Sequence, residues 1–224
     1  MRKISLKLFI FSFFLAQSAS AGVYDFKKLH HELGYDKTSN DFGASVRELQ
    51  DLDSYTDKYE DFFAEINGYL RFYPAPYDWS GTGPEEAKVI VNNIDAIFKR
   101  VPEIPSDITL FRGVTLEWHQ GRPFEIGEEF SDKAYISTTT TRSVALRFAN
   151  GLDNEKPVKG AIFTLYFNQP HAKGILIDQG EDEVMLMHGE HFRIMKRDSG
   201  EKSDSYLVQI CGSMPCATQV PAGY

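Results

Sequence analysis

The chain has 224 residues, of which 24 are basic and 32 acidic, so its formal net charge is −8 at pH 7. A field of this sign repels phosphate backbones and argues against nucleic acid as a partner, although a few local arginines can still hold a small anion. The length suits one domain with a sizeable hydrophobic core, or two small lobes.

The N-terminus has the three parts of a secretory signal peptide. Basic residues precede an apolar run over 8–16, and an Ala-Ser-Ala cleavage site occupies 19–21. The alternative is a membrane anchor, but the run is too short to cross roughly 30 Å of hydrocarbon. We therefore predict a signal peptide over 1–21, a secreted single-domain mature chain over 22–224, and no stable membrane span.

The first half of the mature chain, about 22–105, has a helical pattern. Apolar residues recur at three- and four-residue spacings over 46–73. A second such run begins at Pro84, and proline is favoured at the first position of a helix. The apolar face predicted for this second helix consists of Ala87, Ile90, Val91, Ile94, Ile97 and Phe98.

The second half, about 106–210, changes to the two-residue period of strands. Helices followed by strands indicate an α+β domain, with a helical N-terminal lobe packed on a β-rich part and a cleft at their seam. A short helix is predicted over 141–150. The predicted strands are 108–111 (running into Arg112), 130–138, 160–167, 174–178, 183–187, 192–195 and 206–210.

Two cysteines, Cys211 and Cys216, lie in the short C-terminal tail over 211–224. In an exported chain this spacing is typical of a small disulfide loop, which we predict here. A metal site would need further ligands close by, and the histidines show no ligand spacing.

Two short segments carry candidate binding residues. Arg112 precedes Gly113, so a fork of guanidinium donors stands beside a residue that lets a ligand approach the main chain. The plainer interpretation is a solvated or ion-paired arginine.

The second segment is a run of hydroxyl residues over 137–140, whose last members can simply cap the next helix. Ser137 differs, because alternation places it inside a strand.

Three carboxylates over 181–183 enter an apolar strand. Glu181 and Glu183 are two residues apart and would share one strand face, where like charges cost stability unless a cation or a catalytic task compensates. The plain alternative is an exposed acidic edge. Because these carboxylates lead directly into an apolar strand, we favour a functional site over an exposed edge.

Together, the Leu-Phe-Arg-Gly segment ending at Gly113, the Ile-Ser-Thr-Thr-Thr segment at 136–140 and Glu-Asp-Glu at 181–183 resemble a family signature. It is the Arg, Ser-Thr-Ser/Thr, Glu-x-Glu signature of the bacterial mono-ADP-ribosyltransferase toxins. Residues 66–71 resemble the family's third N-terminal helix, and Phe148 its aromatic residue after the Ser-Thr segment. The length of the segment before the arginine is nearer the enzymatic components of clostridial binary toxins than the cholera-toxin type.

The resemblance implies a two-sheet core, NAD as co-substrate and no metal. Glu183 would act on the NAD ribose, with Ser137 holding its carboxylate by a hydrogen bond. Arg112 would bind a phosphate or ribose oxygen, and the main chain of Gly113 the nicotinamide amide. The remaining NAD contacts implied are Tyr69, Arg71, Thr138 and Phe148.

Glu181 matches the family's acceptor-selecting position, where glutamate implies transfer to an arginine of a target protein. Actin enters as a target by analogy alone. Two alternatives stay open at this point. One is an NAD glycohydrolase that uses water as acceptor through Glu183. The other is an inactive binding module, against which the retained Arg112, Ser137 and both glutamates speak.

Overall fold

The computed structural model of the protein describes residues 43–57, 62–75, 81–105, 108–151, 159–167, 172–177, 182–212 and 215–216. The predicted signal peptide, 1–21, lies outside these ranges. Within them, no helix is long and apolar enough to cross a membrane.

The N-terminal lobe contains the helices α1 (Val46–Thr56), α2 (Phe62–Phe72) and α3 (Pro84–Arg100). Helix α1 begins with a capping box, in which Ser45 and Glu48 each accept a main-chain N–H of the other. Helix α3 begins at Pro84, as predicted. Proline is tolerated there because the N–H of the first helical residue has no acceptor within the helix. The buried residues of α3 are those predicted: Ala87, Ile90, Val91, Ile94, Ile97 and Phe98.

From residue 108 onwards, the described residues form eight strands and one further α-helix, α4 (Arg142–Ala149). The strands make one open, mixed sheet in the order β2-β7-β8-β4-β1-β3-β6-β5, in which only the β4–β8 pair is parallel among the pairs described. This arrangement confirms the α+β prediction. The strands are β1 (Leu110–Thr115), β2 (Glu129–Asp132), β3 (Ile136–Thr139), β4 (Gly160–Phe167), β5 (Gly174–Ile177), β6 (Glu183–Leu186), β7 (Glu190–Asp198) and β8 (Ser203–Gly212).

One register pair, Phe111 with Thr139, joins β1 to β3 and so connects two parts of the sheet. The larger part contains five strands and the smaller part β3, β6 and β5. Both contribute to one buried apolar cluster, for example through Phe163 of the larger part and Val184 of the smaller. The two sheets implied by the resemblance are thus two parts of one hydrogen-bonded sheet.

The helical lobe covers the other face of the smaller part. Ile175 and Met185, from β5 and β6, share a second buried cluster with the apolar face of α3. Tyr135, just before β3, lies in the same cluster, and its hydroxyl donates to Asp95 of α3 at 2.7 Å. The seam between the lobe and the sheet therefore lies beside β3 and β6.

Helix α4 packs directly on the main chain of β1 and β4. A Cβ atom at Gly113 would lie 1.7 Å from the carbonyl oxygen of Ala145, and one at Gly160 would lie 1.8 Å from that of Ala149. Only glycine permits so close an approach. The glycine beside Arg112 therefore has a packing role in addition to any contact with a ligand.

Strands β7 and β8 extend beyond their predicted bounds of 192–195 and 206–210. Two further strand predictions differ from the structure in a way that affects the site. The segment 130–138 forms two strands, since β2 ends at Asp132 and β3 begins at Ile136. Four strands separate β2 from β3 in the sheet, so the chain crosses between its two parts at this point. The sequence also places Arg112 at a strand end, whereas it is the third of six residues in β1.

Cys211 and Cys216 are joined by a disulfide, as predicted. The main-chain carbonyl of Cys216 accepts a hydrogen bond of 3.0 Å from Arg193 of β7. Cys216 is thereby held against the sheet.

Candidate active site

A cavity of about 700 Å³ opens between the C-terminal end of α2 and the sheet. Cavities of this size hold drug-sized and cofactor-sized molecules. Its lining combines an apolar, largely aromatic wall with a charge cluster formed by Arg71, Arg112, Asp132 and Lys133. The lining residues are Arg71, Phe72, Arg112, Gly113, Val114, Thr115, Phe130, Ser131, Asp132, Lys133, Ile136, Phe148, Phe163, Leu165 and Phe192.

The guanidinium of Arg112 projects from the middle of β1 into this cavity. Its Nη1 lies 3.4 Å from the carbonyl oxygen of Ser137, and its Nη2 lies 3.5 Å from Oδ2 of Asp132. Burial lowers the pKa of Arg112, and the charge of Asp132 acts in the opposite direction. An arginine stays protonated under such shifts, so Arg112 remains a partly desolvated cation in the cleft.

Asp132, at the end of β2, pairs with a second cation. Arg71 of α2 donates from Nε to Oδ1 at 3.0 Å and from Nη2 to Oδ2 at 2.8 Å. This two-point contact brings Arg71 to the same carboxylate as Arg112, so two of the predicted site residues meet across the cavity. Sequence reasoning missed Asp132, which lies in no recognisable motif.

The main chain of β1 is open beside Arg112. On the side of β3, only Phe111 has a register partner among the described residues, whereas β4 pairs along all of β1. Gly113 and Val114 both line the cavity. This edge can therefore offer main-chain groups to a ligand.

Strands β3 and β6 present the hydroxyl and carboxylate residues of the signature. In their antiparallel register, Ser137 lies opposite Met185 and Thr139 lies opposite Glu183. Paired residues share a face, so Ser137, Thr139 and Glu183 lie on one face, with Ser137 diagonal to Glu183. The charge of Glu183 also raises the pKa of Arg112, by less than the charge of Asp132 does.

Thr138 points to the other face of β3. It is buried, and its hydroxyl donates to the carbonyl of Val184 at 2.5 Å. Its side chain is thus used inside the core, which does not support the expected contact with NAD.

Asp182, the residue just before β6, is hydrogen-bonded to the residues at the start of α4. Asp182 has a left-handed backbone with φ +49°, its carbonyl accepts from the main chain of Thr140 at 3.2 Å, and its Oδ2 accepts from the hydroxyl of Thr141 at 2.7 Å. Aspartate tolerates this conformation better than most residues. Glu181, the neighbouring predicted site residue, lies outside the described residues.

The two aromatic residues predicted to contact NAD lie in different places. Phe148 of α4 lines the cavity, as a ligand contact requires. Tyr69 of α2 packs against the helical core and pairs with Tyr73 at a ring distance of 5.0 Å, and it is not among the residues that line the cavity.

Tyr55 of α1 is a further buried group beside the site that sequence reasoning missed. Its hydroxyl donates to Asn67 at 3.2 Å, and burial raises the pKa of Tyr55. The charges of Glu183, Arg112 and Arg71 all act on this hydroxyl. Tyr55 therefore lies near these charges, on the side of the helical lobe.

The arrangement suits a ligand with an anionic and a flat, apolar part. Two guanidiniums face the cavity beside an aromatic wall, and a carboxylate lies on an adjoining strand pair. In the described part of the chain, no group of three or more His, Cys, Asp or Glu side chains could hold a metal ion.

A profile of the ADP-ribosyltransferase exoenzyme family matches residues 20–211, which is most of the chain. Comparison with curated protein sequences finds no match.

Several solved structures share the fold. The Vis toxin, an ADP-ribosyltransferase from Vibrio splendidus solved in complex with agmatine, is 22% identical with a TM-score of 0.61 over 84% of this chain and 85% of that chain. Exoenzyme S from Pseudomonas aeruginosa, solved with human 14-3-3 protein beta and bound to carba-NAD, is 17% identical with a TM-score of 0.56 over 87% and 86%. BECa, from a binary enterotoxin of C. perfringens and solved with NADH, is 17% identical with a TM-score of 0.60 over 83% and 48%.

Proposed function

The chain belongs to the ADP-ribosyltransferase exoenzyme family, and we propose that it is a secreted enzyme that transfers ADP-ribose from NAD to an arginine of a target protein. The observation that carries the proposal is the position of Arg112, in contact with Asp132 and the main chain of Ser137, beside the strand pair that holds Glu183. The predicted signal peptide supports secretion.

The charge cluster would bind the diphosphate of NAD. Arg71 and Arg112 supply two guanidiniums, whose planar donor forks match phosphate oxygens. On the open edge of β1, the main-chain N–H of Gly113 would donate a hydrogen bond to the nicotinamide amide, and its C=O would accept one from it. The aromatic wall would shield the flat ring from water.

Glu183 would drive the cleavage. The bond between ribose C1′ and the nicotinamide nitrogen breaks, the electron pair leaves with nicotinamide, and positive charge develops on the ribose as in glycoside hydrolysis. A carboxylate beside the ribose stabilises that charge electrostatically. Glu183 is suited to this because its main chain is paired with Thr139 in the β3–β6 register.

The acceptor would be a guanidinium nitrogen, which forms the new bond to C1′ and loses one proton. Glu181 is the residue that would pair with this guanidinium and take up the proton. The complex of the Vis toxin with agmatine, which carries a guanidinium, supports this choice of acceptor.

The test is incubation of the mature protein with NAD labelled in its adenylate part and with agmatine as acceptor. We expect labelled ADP-ribosyl-agmatine, and no product above background from Glu183→Gln. Free ADP-ribose alone would indicate an NAD glycohydrolase, and the absence of both products would indicate a binding module.

A further inference from the structure

Asp132 stands where three parts of the fold meet. It ends β2, it accepts two hydrogen bonds from Arg71 of α2, and its Oδ2 also lies 3.5 Å from Nη2 of Arg112 in β1. In sequence, Arg71 is 61 residues away and Arg112 is 20 residues away. We infer that Asp132 is a positioning residue that holds these two guanidiniums as a pre-formed pair for the diphosphate of the ligand.

The carboxylate of Asp132 is itself firmly placed. Its Oδ1 accepts from the main chain of Ala134 at 3.0 Å, and its carbonyl accepts from Gly189 at 2.9 Å. Its main chain is paired with Glu190 of β7. The position of Asp132 is thus set by the sheet, and through it the sheet sets the position of Arg71.

The charges of the cluster leave it suited to an anion. One carboxylate stands between two guanidiniums, and Lys133 also lines the cavity. The cluster therefore retains excess positive charge towards a diphosphate. Removal of the Asp132 charge would raise this excess further, so electrostatics alone predicts tighter anion binding without it.

A positioning role for Asp132 predicts the opposite effect, namely weaker anion binding when its charge is removed. The side chain of Arg71 is 40% exposed and that of Arg112 is 21% exposed, and a long side chain loses rotamer freedom when a ligand fixes it. Asp132 holds both guanidiniums before the ligand arrives. Binding therefore loses less side-chain conformational entropy. The Arg71–Asp132 pair is partly exposed on the side of Arg71, and an exposed pair of this kind contributes little to global stability.

The inference rests on the proposed function only for the identity of the ligand, and its test measures binding. Calorimetric titration of the mature chain would use ADP-ribose, which has the diphosphate, and nicotinamide, which lacks it. We expect Asp132→Asn to bind ADP-ribose roughly tenfold more weakly and nicotinamide as the wild type does. Asp132→Glu, which keeps a carboxylate, should recover part of the loss. Asp198→Asn is the matched control, since Asp198 pairs with Lys196 at an exposed site.

Unchanged or tighter binding of ADP-ribose by Asp132→Asn would overturn the inference. So would an equal loss for both ligands, which would indicate general disruption. If Asp132→Asn does not fold, Arg71→Lys serves instead. It keeps the charge but loses the two-point contact, and wild-type affinity for ADP-ribose in that variant would also overturn the inference.

The two proposals fail in different ways. A wild-type chain that modifies agmatine, combined with Asp132→Asn that binds ADP-ribose normally, contradicts the positioning role alone. A wild-type chain without activity, combined with weaker ADP-ribose binding by Asp132→Asn, contradicts the proposed reaction alone.

Discussion

Thr139 lies directly opposite Glu183 in the register of β3 and β6. Side chains in this relation have Cβ atoms about 5 Å apart, whereas a diagonal neighbour such as Ser137 is about 7–8 Å away and still within reach. Thr139 is also tied to the next helix, because its hydroxyl accepts from the main chain of Thr141 at 3.0 Å. Glu183 therefore faces a strand whose end is fixed by the fold.

The two faces of β3 predict different results for neighbouring hydroxyl residues. Ser137→Ala should lower the rate of NAD cleavage by about tenfold, because Ser137 lies on the face of Glu183 and beside Arg112. Thr138→Val should leave the rate near that of the wild type but lower the free energy of unfolding by about 1 kcal/mol, because it loses the buried bond to Val184. Steady-state kinetics and urea unfolding of both variants test the contrast, and a larger catalytic loss in Thr138→Val would contradict it.

Arg112→Lys should keep the fold and lower kcat/KM for NAD cleavage by about tenfold or more. Lysine keeps the charge, but it cannot reach Asp132 and the carbonyl of Ser137 at once with a planar fork. Arg122→Lys is the matched control, since Arg122 forms an exposed pair with Glu128 and does not line the cavity. Wild-type turnover in Arg112→Lys would remove Arg112 from the site.

Gly113→Ala should destabilise the protein by about 2–3 kcal/mol, because the new Cβ atom would meet the main-chain oxygen of Ala145, which cannot move without displacing α4. Gly83→Ala is the control, since a Cβ atom there meets nothing within 4 Å and Gly83 has a φ of −73°. Its effect should stay within about 1 kcal/mol. Equal losses in denaturant unfolding of the two variants would contradict the close packing of α4 on β1.

Glu190 gives the fold a dependence on pH. Burial raises its pKa from 4.5 to about 7, and the charge of His188 offsets part of that effect. The folded protein thus binds a proton that the unfolded chain releases between these values, so stability from this group is lost as pH rises from about 4.5 to 7. Relative to Glu190→Gln, the wild type should lose unfolding free energy on the order of 3 kcal/mol across this range. A difference that does not vary between pH 4.5 and 8 would contradict the assignment.

The sequence predicts those elements whose periodicity is local. Helix α3 is predicted with its six buried residues, because its amphipathic pattern and its N-terminal proline can both be recognised in the sequence without tertiary information. The strand over 160–167 has the predicted bounds for a similar reason. By contrast, alternation over 130–138 cannot distinguish one strand from two that lie in different parts of a sheet.

The site residues also fall into those that a local sequence signal identifies and those that it does not. Short motifs identify Arg112, Ser137 and Glu183, and the structure brings their strands together. Asp132 and Tyr55 carry no motif, and only the tertiary fold brings them to the arginines. The face of Thr138 could not be settled either, because a single strand does not reveal which of its two faces meets the core.

We propose that two glutamates divide one reaction, with Glu183 acting on the ribose of NAD and Glu181 on the acceptor arginine. The most direct measurement follows two products, ADP-ribosyl-agmatine and free ADP-ribose, for the wild type, Glu181→Gln and Glu183→Gln under the same conditions. We predict that Glu183→Gln loses both products by about a hundredfold or more, and that Glu181→Gln loses transfer to agmatine while it still releases ADP-ribose. Equal loss of both products in Glu181→Gln would contradict the division of roles, and full transfer by both variants would contradict the assignment of the active site.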